Sequence, residues 1–163
     1  MIVRAYRPTD APRLANILHT AVHAVGARDY TTAQLEAWSP APILSERFHE
    51  RVSDGRSVWV AVSKDDVPLA FIELEPDGHI DCFYRHPDVA GKGIGKALFD
   101  RLKTAAITAG IRRLHVEASE AARRFFLREG FRCLERHEFE LRGVHIHNYE
   151  MELRLSSAGN VRM

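Results

Sequence analysis

The chain has 163 residues, 45% hydrophobic and 28% charged, with a formal net charge of +1, the balance of one soluble globular domain large enough for a core of its own. Near-neutral charge argues against a large nucleic-acid footprint. No apolar run approaches the roughly 18 residues of a membrane span, and the opening MIVRAYRPTD lacks the basic-then-apolar pattern of a signal peptide.

No membrane contact and a cytoplasmic location are therefore expected. Cys82 and Cys133, both in apolar strand-like runs, suit a reducing compartment.

In chain order, a short strand is expected at 2–6. A helix follows, capped by Thr9 or Asp10, with apolar residues from Leu14 to Val25 spaced at three and four and a stop at Gly26. Thr31 and Gln34 form a capping-box pattern for a short helix that ends before Pro40. A third helix spans about 43–52. Strands are expected at 57–63, 69–75 and 79–85, separated by polar turns. The stretch DVAGKGIGKALFD (88–100) then places three glycines ahead of a helix that runs to about 109. A strand at 112–118, a helix capped by Ser119 that runs to 129, and two long strands at 131–141 and 144–155 complete the domain. Residues 156–163 read as a flexible tail. The fold class is mixed α/β.

Glycine-rich backbone at a helix start can hold an anion, because successive N–H groups converge there at the positive end of the helix dipole. Charge supports this: the segment from Arg85 to Arg128 holds ten Lys or Arg against four acids, a net +6 that leaves −5 for the rest. Solvated helix faces account for at least half of those side chains. The dinucleotide motif G-x-G-x-x-G fails because Lys96 stands at its sixth position, and the P-loop fails at Ala90 and Ala97.

The stretch FYRHPDVAGKGIGKALFD, together with SEAARRFFLREGF at 119–131, resembles the GNAT N-acetyltransferase superfamily, as does the whole order of elements. DYTTAQLEAWSP, EPDGHIDCFYRHP and RGVHIHN resemble one bacterial branch of small acetyltransferases in it. The resemblance implies a central, mostly antiparallel sheet of about seven strands, splayed at the cofactor site and flanked by about five helices. It implies acetyl-CoA as co-substrate. The pyrophosphate would rest on Ala90, Gly91, Lys92, Gly93, Ile94, Gly95 and Lys96, with Arg123, Arg124 or Arg128 toward the 3′-phosphate. Phe83, Tyr84 and Arg85 would follow pantetheine, and the Phe83 N–H would polarise the thioester carbonyl. Three residues depart from the family pattern: Ala90 for Gln or Arg, Ser119 for Asn, and Phe126 for the Tyr that protonates the leaving thiolate.

Transfer to an amine needs a base, since an alkyl ammonium of pKa about 10.4 is protonated at neutral pH. Strict alternation puts His79, Asp81, Phe83 and Arg85 on one strand face, and Glu73 and Glu75 on the face of Phe71. Asp81 and Glu73 are the candidates, each weighed against an exposed structural carboxylate and against a water relay. Without a Tyr at 126, the proton donor is Tyr84, Cys133, His137 or Tyr149, or the thiolate leaves unaided. The acceptor pocket would draw on Tyr30 and Trp38 from the early helices and on His137 and His147 from the last hairpin. His145, His147, Tyr149 and Met151 share one face, either an acceptor wall or a face grading from exposed into core. His19 and His23 have helical spacing but lack the Glu of a metal motif, so no metal is expected.

The expected activity is acetyl-CoA-dependent N-acetyl transfer to a primary amine of a small molecule or peptide, by direct attack in a ternary complex. The alternatives are a non-catalytic acyl-CoA-binding sensor and, against the charge balance, an RNA-directed acetyltransferase. Family members often form homodimers, and the sequence holds nothing that decides for or against one.

Overall fold

The run SVWVAV has apolar residues at nearly every position, the pattern of a strand buried on both faces. In the computed structural model, which describes residues 1–89 and 93–156, that strand, β2 (Ser57–Val62), sends Val58, Val60 and Val62 into one core and Trp59 and Ala61 into a second. It lies between β1 (Ile2–Ala5) and β3 (Pro68–Leu74), both antiparallel to it. The sheet continues through β4 (His79–Arg85), β5 (Arg113–Ala118), β7 (Val144–Arg154) and β6 (Arg132–Leu141), in the order β1-β2-β3-β4-β5-β7-β6. Every pairing is antiparallel except β4 with β5.

Two layers of helix cover the sheet. On one face, α1 (Ala11–Gly26) buries Leu14, Ile17, Leu18, Ala21 and Val22, the expected stripe, beside α2 (Thr32–Trp38) and α3 (Ser45–Val52). On the other, α4 (Ile94–Thr108) buries Leu98, Phe99 and Leu102, and α5 (Glu120–Arg128) buries Phe126. The Thr31–Gln34 capping box forms as read. Asp10 does not cap α1. Its carboxylate turns back to accept from the Arg7 N–H at 2.8 Å and from the Arg4 guanidinium. His19 and His23 are not a solvated pair either: they contact the Ser39 hydroxyl and carbonyl oxygens, each at 2.7 Å, and tie α1 to the end of α2.

The sheet is interrupted once. β4 pairs with β5 only at His79↔His115 and Ile80↔Val116, after which the strands part. Against β3, β4 stays paired to Arg85 but carries a bulge: Ile72 faces Phe83 and Leu74 faces Ile80, so Asp81 and Cys82 together oppose the single residue Glu73.

Candidate active site

The bulge decides which face each residue of β4 takes. Ile80 and Phe83 both pack in the α4/α5 core, whereas Cys82 and Tyr84 pack with α1. Asp81 is therefore not on the face of Phe83, as alternation predicts. The extra residue rotates it to the side of Glu73. There the two carboxylates share two guanidinium groups. Arg51 donates to Glu73 at 2.5 and 2.8 Å and to Asp81 Oδ2 at 3.2 Å; Arg56 donates to Glu73 and to Asp81 Oδ2, each at 2.7 Å. Glu73 is fully buried, with both oxygens held, so of the two base candidates only Asp81 reaches open space.

Pairing also fixes the backbone. The His86 N–H donates to the Leu69 C=O at 2.8 Å, and hydrogen-bonded pairs alternate along an antiparallel ladder. Tyr84 thus bonds across to Phe71, while the N–H and C=O groups of Phe83 and Arg85 turn toward the gap where β5 has diverged. This gap opens into a cleft of about 150 Å³ lined by Phe83, Tyr84, Arg85, Gly95, Ser119, Phe125 and Arg128, with α1 as its far wall. The chain crosses close at its end: a Cβ on Gly95 would lie 3.3 Å from the Phe83 ring, so a larger residue would have to push that ring aside by a few tenths of an ångström. Gly93 caps α4 at φ +70°. Ala90, Gly91 and Lys92, the rest of the expected phosphate loop, lie outside the described residues.

A second cleft lies between α1, α2 and the β6–β7 hairpin, walled by Leu18, Ile43, Phe139, Leu141 and Ile146, with Arg51, Asp81, Glu117, His147 and Asn148 as its polar groups. The two clefts share Tyr30, Trp38, Tyr84 and Ser119. Tyr30 holds the junction: its hydroxyl donates to the His147 C=O at 3.2 Å and accepts from the Glu120 N–H at 3.1 Å. Burial foremost pushes its pKa up to about 12. Burial likewise raises the Tyr84 phenol and the Cys82 thiol, so both keep their protons near neutral pH.

Other predicted residues fall elsewhere. His137 is on the edge strand β6, against Glu135 and Glu150, outside the second cleft. Cys133 is exposed rather than in apolar surroundings. Tyr149 lines neither cleft. Its hydroxyl donates to Glu120 at 2.8 Å, and its ring carries the Arg123 guanidinium 4.7 Å from the centroid. The face of β7 grades from exposed His145 to fully buried Met151, so it is no continuous acceptor wall. His147 binds Glu120 at 2.5 Å. Burial acts to raise the Glu120 carboxyl, but hydrogen bonds from His147 and Tyr149 outweigh it and hold the pKa low.

Arg124 is bound to Asp29, and Lys96 to Asp100 and Glu129, which leaves Arg128 as the one of the three α5 arginines lining the first cleft. The Ser119 oxygen caps α5 by accepting from the Ala122 N–H, which leaves its O–H to donate. Phe126 is sealed among Phe83, Phe99, Phe125 and Phe131, ring centroids 4.7–5.9 Å away. Sequence reasoning missed Glu117. On β5, its period-2 position opposite buried Val116 and Ala118 marked it as outward-facing, and only the hairpin turns that face into a cleft.

The family described as "Acetyltransferase (GNAT) domain" matches residues 26–153. The chain belongs to the GNAT acetyltransferase family. It is 30% identical over 149 residues to the N-acetyltransferase YafP of Escherichia coli K12, covering 91% of this chain and 93% of YafP. Over 85 residues it is 35% identical to the peptidyl-lysine N-acetyltransferase YjaB of Salmonella typhimurium, about half of each chain. A GCN5-related N-acetyltransferase from Rhodopseudomonas palustris superposes with a TM-score of 0.86 at 34% identity, covering 94% of this chain and 95% of that one. YncA of Salmonella typhimurium, solved with acetyl-CoA, shares the fold with a TM-score of 0.73 at 20% identity, over 96% and 95% of the chains. This chain is accordingly a GNAT N-acetyltransferase with a seven-stranded sheet and five helices. Among the described residues, no helix is long and apolar enough to cross a membrane.

Proposed function

We propose that this GNAT chain transfers the acetyl group of acetyl-CoA to a primary amine, on a small molecule or a peptide, by direct attack in a ternary complex. The observation that carries the reading is the meeting of two clefts at Tyr30, Trp38, Tyr84 and Ser119, beside backbone groups of Phe83 and Arg85 that face away from β3 where β5 has diverged. Pantetheine, itself an amide chain, fits such a strand edge, and YncA's acetyl-CoA supports the choice of cofactor. The pyrophosphate takes the loop at Ala90, Gly91 and Lys92 and the first turn of α4, from Gly93 to Lys96, where N–H groups and the helix dipole favour an anion. The Phe83 N–H donates to the thioester oxygen, on which negative charge grows during attack.

The amine enters through the second cleft, whose apolar walls suit an alkyl stem. It gives a proton to Asp81, directly or through water, and its nitrogen attacks the thioester carbon. The C–S bond then breaks, the thiolate takes a proton from Tyr84, which borders both clefts and stays protonated until then, and Tyr84 regains one through water from the nitrogen that becomes the amide. Glu73 serves by fixing Arg51 and Arg56, which orient Asp81. Cys82, also in the second cleft, is a protonated thiol and a poor nucleophile, which favours direct attack over an acetyl-cysteine intermediate. The peptidyl-lysine activity named for YjaB makes a lysine side chain one acceptor to test.

The test is thiol release from acetyl-CoA with a panel of small amines and a lysine peptide. Amine-dependent release is expected, with kcat/KM falling about 10²–10⁴-fold in Asp81→Asn and kcat about tenfold or more in Tyr84→Phe. Tight CoA binding without release for any amine would overturn the reading in favour of an acyl-CoA sensor.

A further inference from the structure

The parallel contact that closes one end of the gap brings two imidazoles side by side. His79 pairs with His115, their ring centroids 5.1 Å apart, and Glu117 follows two residues on. Positions i and i+2 of one strand share a face, and a cross-strand neighbour completes a triangle on it. Leu114, Val116 and Ala118 point the other way into the core, so His115 and Glu117 share the outward face with His79. One donor atom from each of the three lies within 4.8 Å of the others. Metal–ligand bonds of about 2.1 Å in a tetrahedron set donors about 3.4 Å apart, within reach of small side-chain rotations.

We propose that His79, His115 and Glu117 bind a divalent transition-metal ion of the class that prefers imidazole and carboxylate, Zn²⁺ being the probe. The orientation of His79 supports this. Its Nδ1 lies 2.6 Å from Glu75 Oε1, while Nε2 faces Glu117 Oε2 at 2.9 Å. A neutral imidazole donates through one nitrogen only. Carboxylates at both nitrogens therefore call for a proton on each, and an ion would take the place of the proton between Nε2 and Glu117, leaving Glu75 to accept from Nδ1 as the outer carboxylate that fixes a metal-binding histidine. Asp77, 3.8 Å from His115 Nε2, adds a third negative group around the two rings. The three side chains are partly exposed, so an ion has access and a fourth coordination position stays open. The expectation of no metal rested on His19 and His23, which are elsewhere. Glu117 also lines the second cleft, so a bound ion would put positive charge beside the route proposed for the amine. The binding itself does not depend on that route.

The experiment uses the untagged full chain, stripped with a chelator and titrated with Co²⁺, whose visible absorption reports coordination, followed by displacement with Zn²⁺. One ion per chain is expected. Affinity should fall at least tenfold in Glu75→Gln, the effect of an outer-shell partner, and further in His79→Ala and His115→Asn, with far-ultraviolet circular dichroism checking that each variant is folded. A wild-type chain that shows no saturable band up to about 1 mM Co²⁺ overturns the proposal whatever the variants do, as does undiminished binding by folded His115→Asn. In a separate arm, Zn²⁺ should raise KM for the amine and leave KM for acetyl-CoA unchanged. Failure of acetyl transfer altogether would leave the Co²⁺ result intact, so the two ideas fail separately.

Discussion

The two edges of β4 contrast. Toward β3 the strand is paired almost to its end, and its bulge is locked by buried charge. Toward β5 it pairs at two residues and then lets go. A sheet that gave up both ladders here would not hold its register, and one that kept both would have no free backbone to offer a ligand. The rigid side fixes where the open side points, so the geometry proposed for acetyl transfer is set by residues that line neither cleft, Glu73 and Arg56 among them.

The contrast can be broken from the rigid side. Glu73→Ala should remove the fully buried one of the two acceptors that Arg51 and Arg56 share, leaving them the more exposed Asp81, with a loss of about 3–5 kcal/mol in urea unfolding. Little change would mean that the bulge holds without its charge cluster. Next, Gly78→Ala attacks the short closed end. Gly78 has φ +97°, a Cβ there would lie 2.1 Å from the Arg113 carbonyl oxygen, and its own C=O accepts from the His115 N–H. A loss of about 2–4 kcal/mol is expected from a mismatched backbone and a backbone clash.

A smaller effect should come from the core beneath the first cleft. Phe126→Tyr places a hydroxyl among four packed rings, and without a partner it should cost about 1–3 kcal/mol. A variant that keeps its stability and releases thiol faster would show that the hydroxyl reaches the cleft. The smallest effect concerns acid. Hydrogen bonds from Arg113 and then Arg132 hold Glu152 at a pKa of about 2, below its ordinary 4.5. A depressed carboxyl contributes stability that is complete above the unfolded pKa and lost as pH falls through the folded one. Glu152→Gln should therefore be less stable than wild type at pH 6, with the gap closing between pH 4.5 and 2.

Much of this was legible in the sequence because it is local. Hydrophobic spacing gave α1 its stripe, Thr31 and Gln34 marked the start of α2, and glycines at 93 and 95 marked a close, left-handed approach to a helix. The order of elements and two motifs sufficed for the family, hence for the seven-stranded sheet. The face of Asp81 was not legible, because a bulge is a property of two paired strands and one extra residue reverses everything that alternation predicts. Nor was the fate of Glu73, whose partners Arg51 and Arg56 come from α3 and the loop beyond it. The cluster of His79, His115 and Glu117 spans some 40 positions and exists only where β4 and β5 run side by side. Spacing along the chain specifies which face of an element is apolar. Which polar groups then meet across the sheet is decided by register, and register is set by the packing of the whole fold.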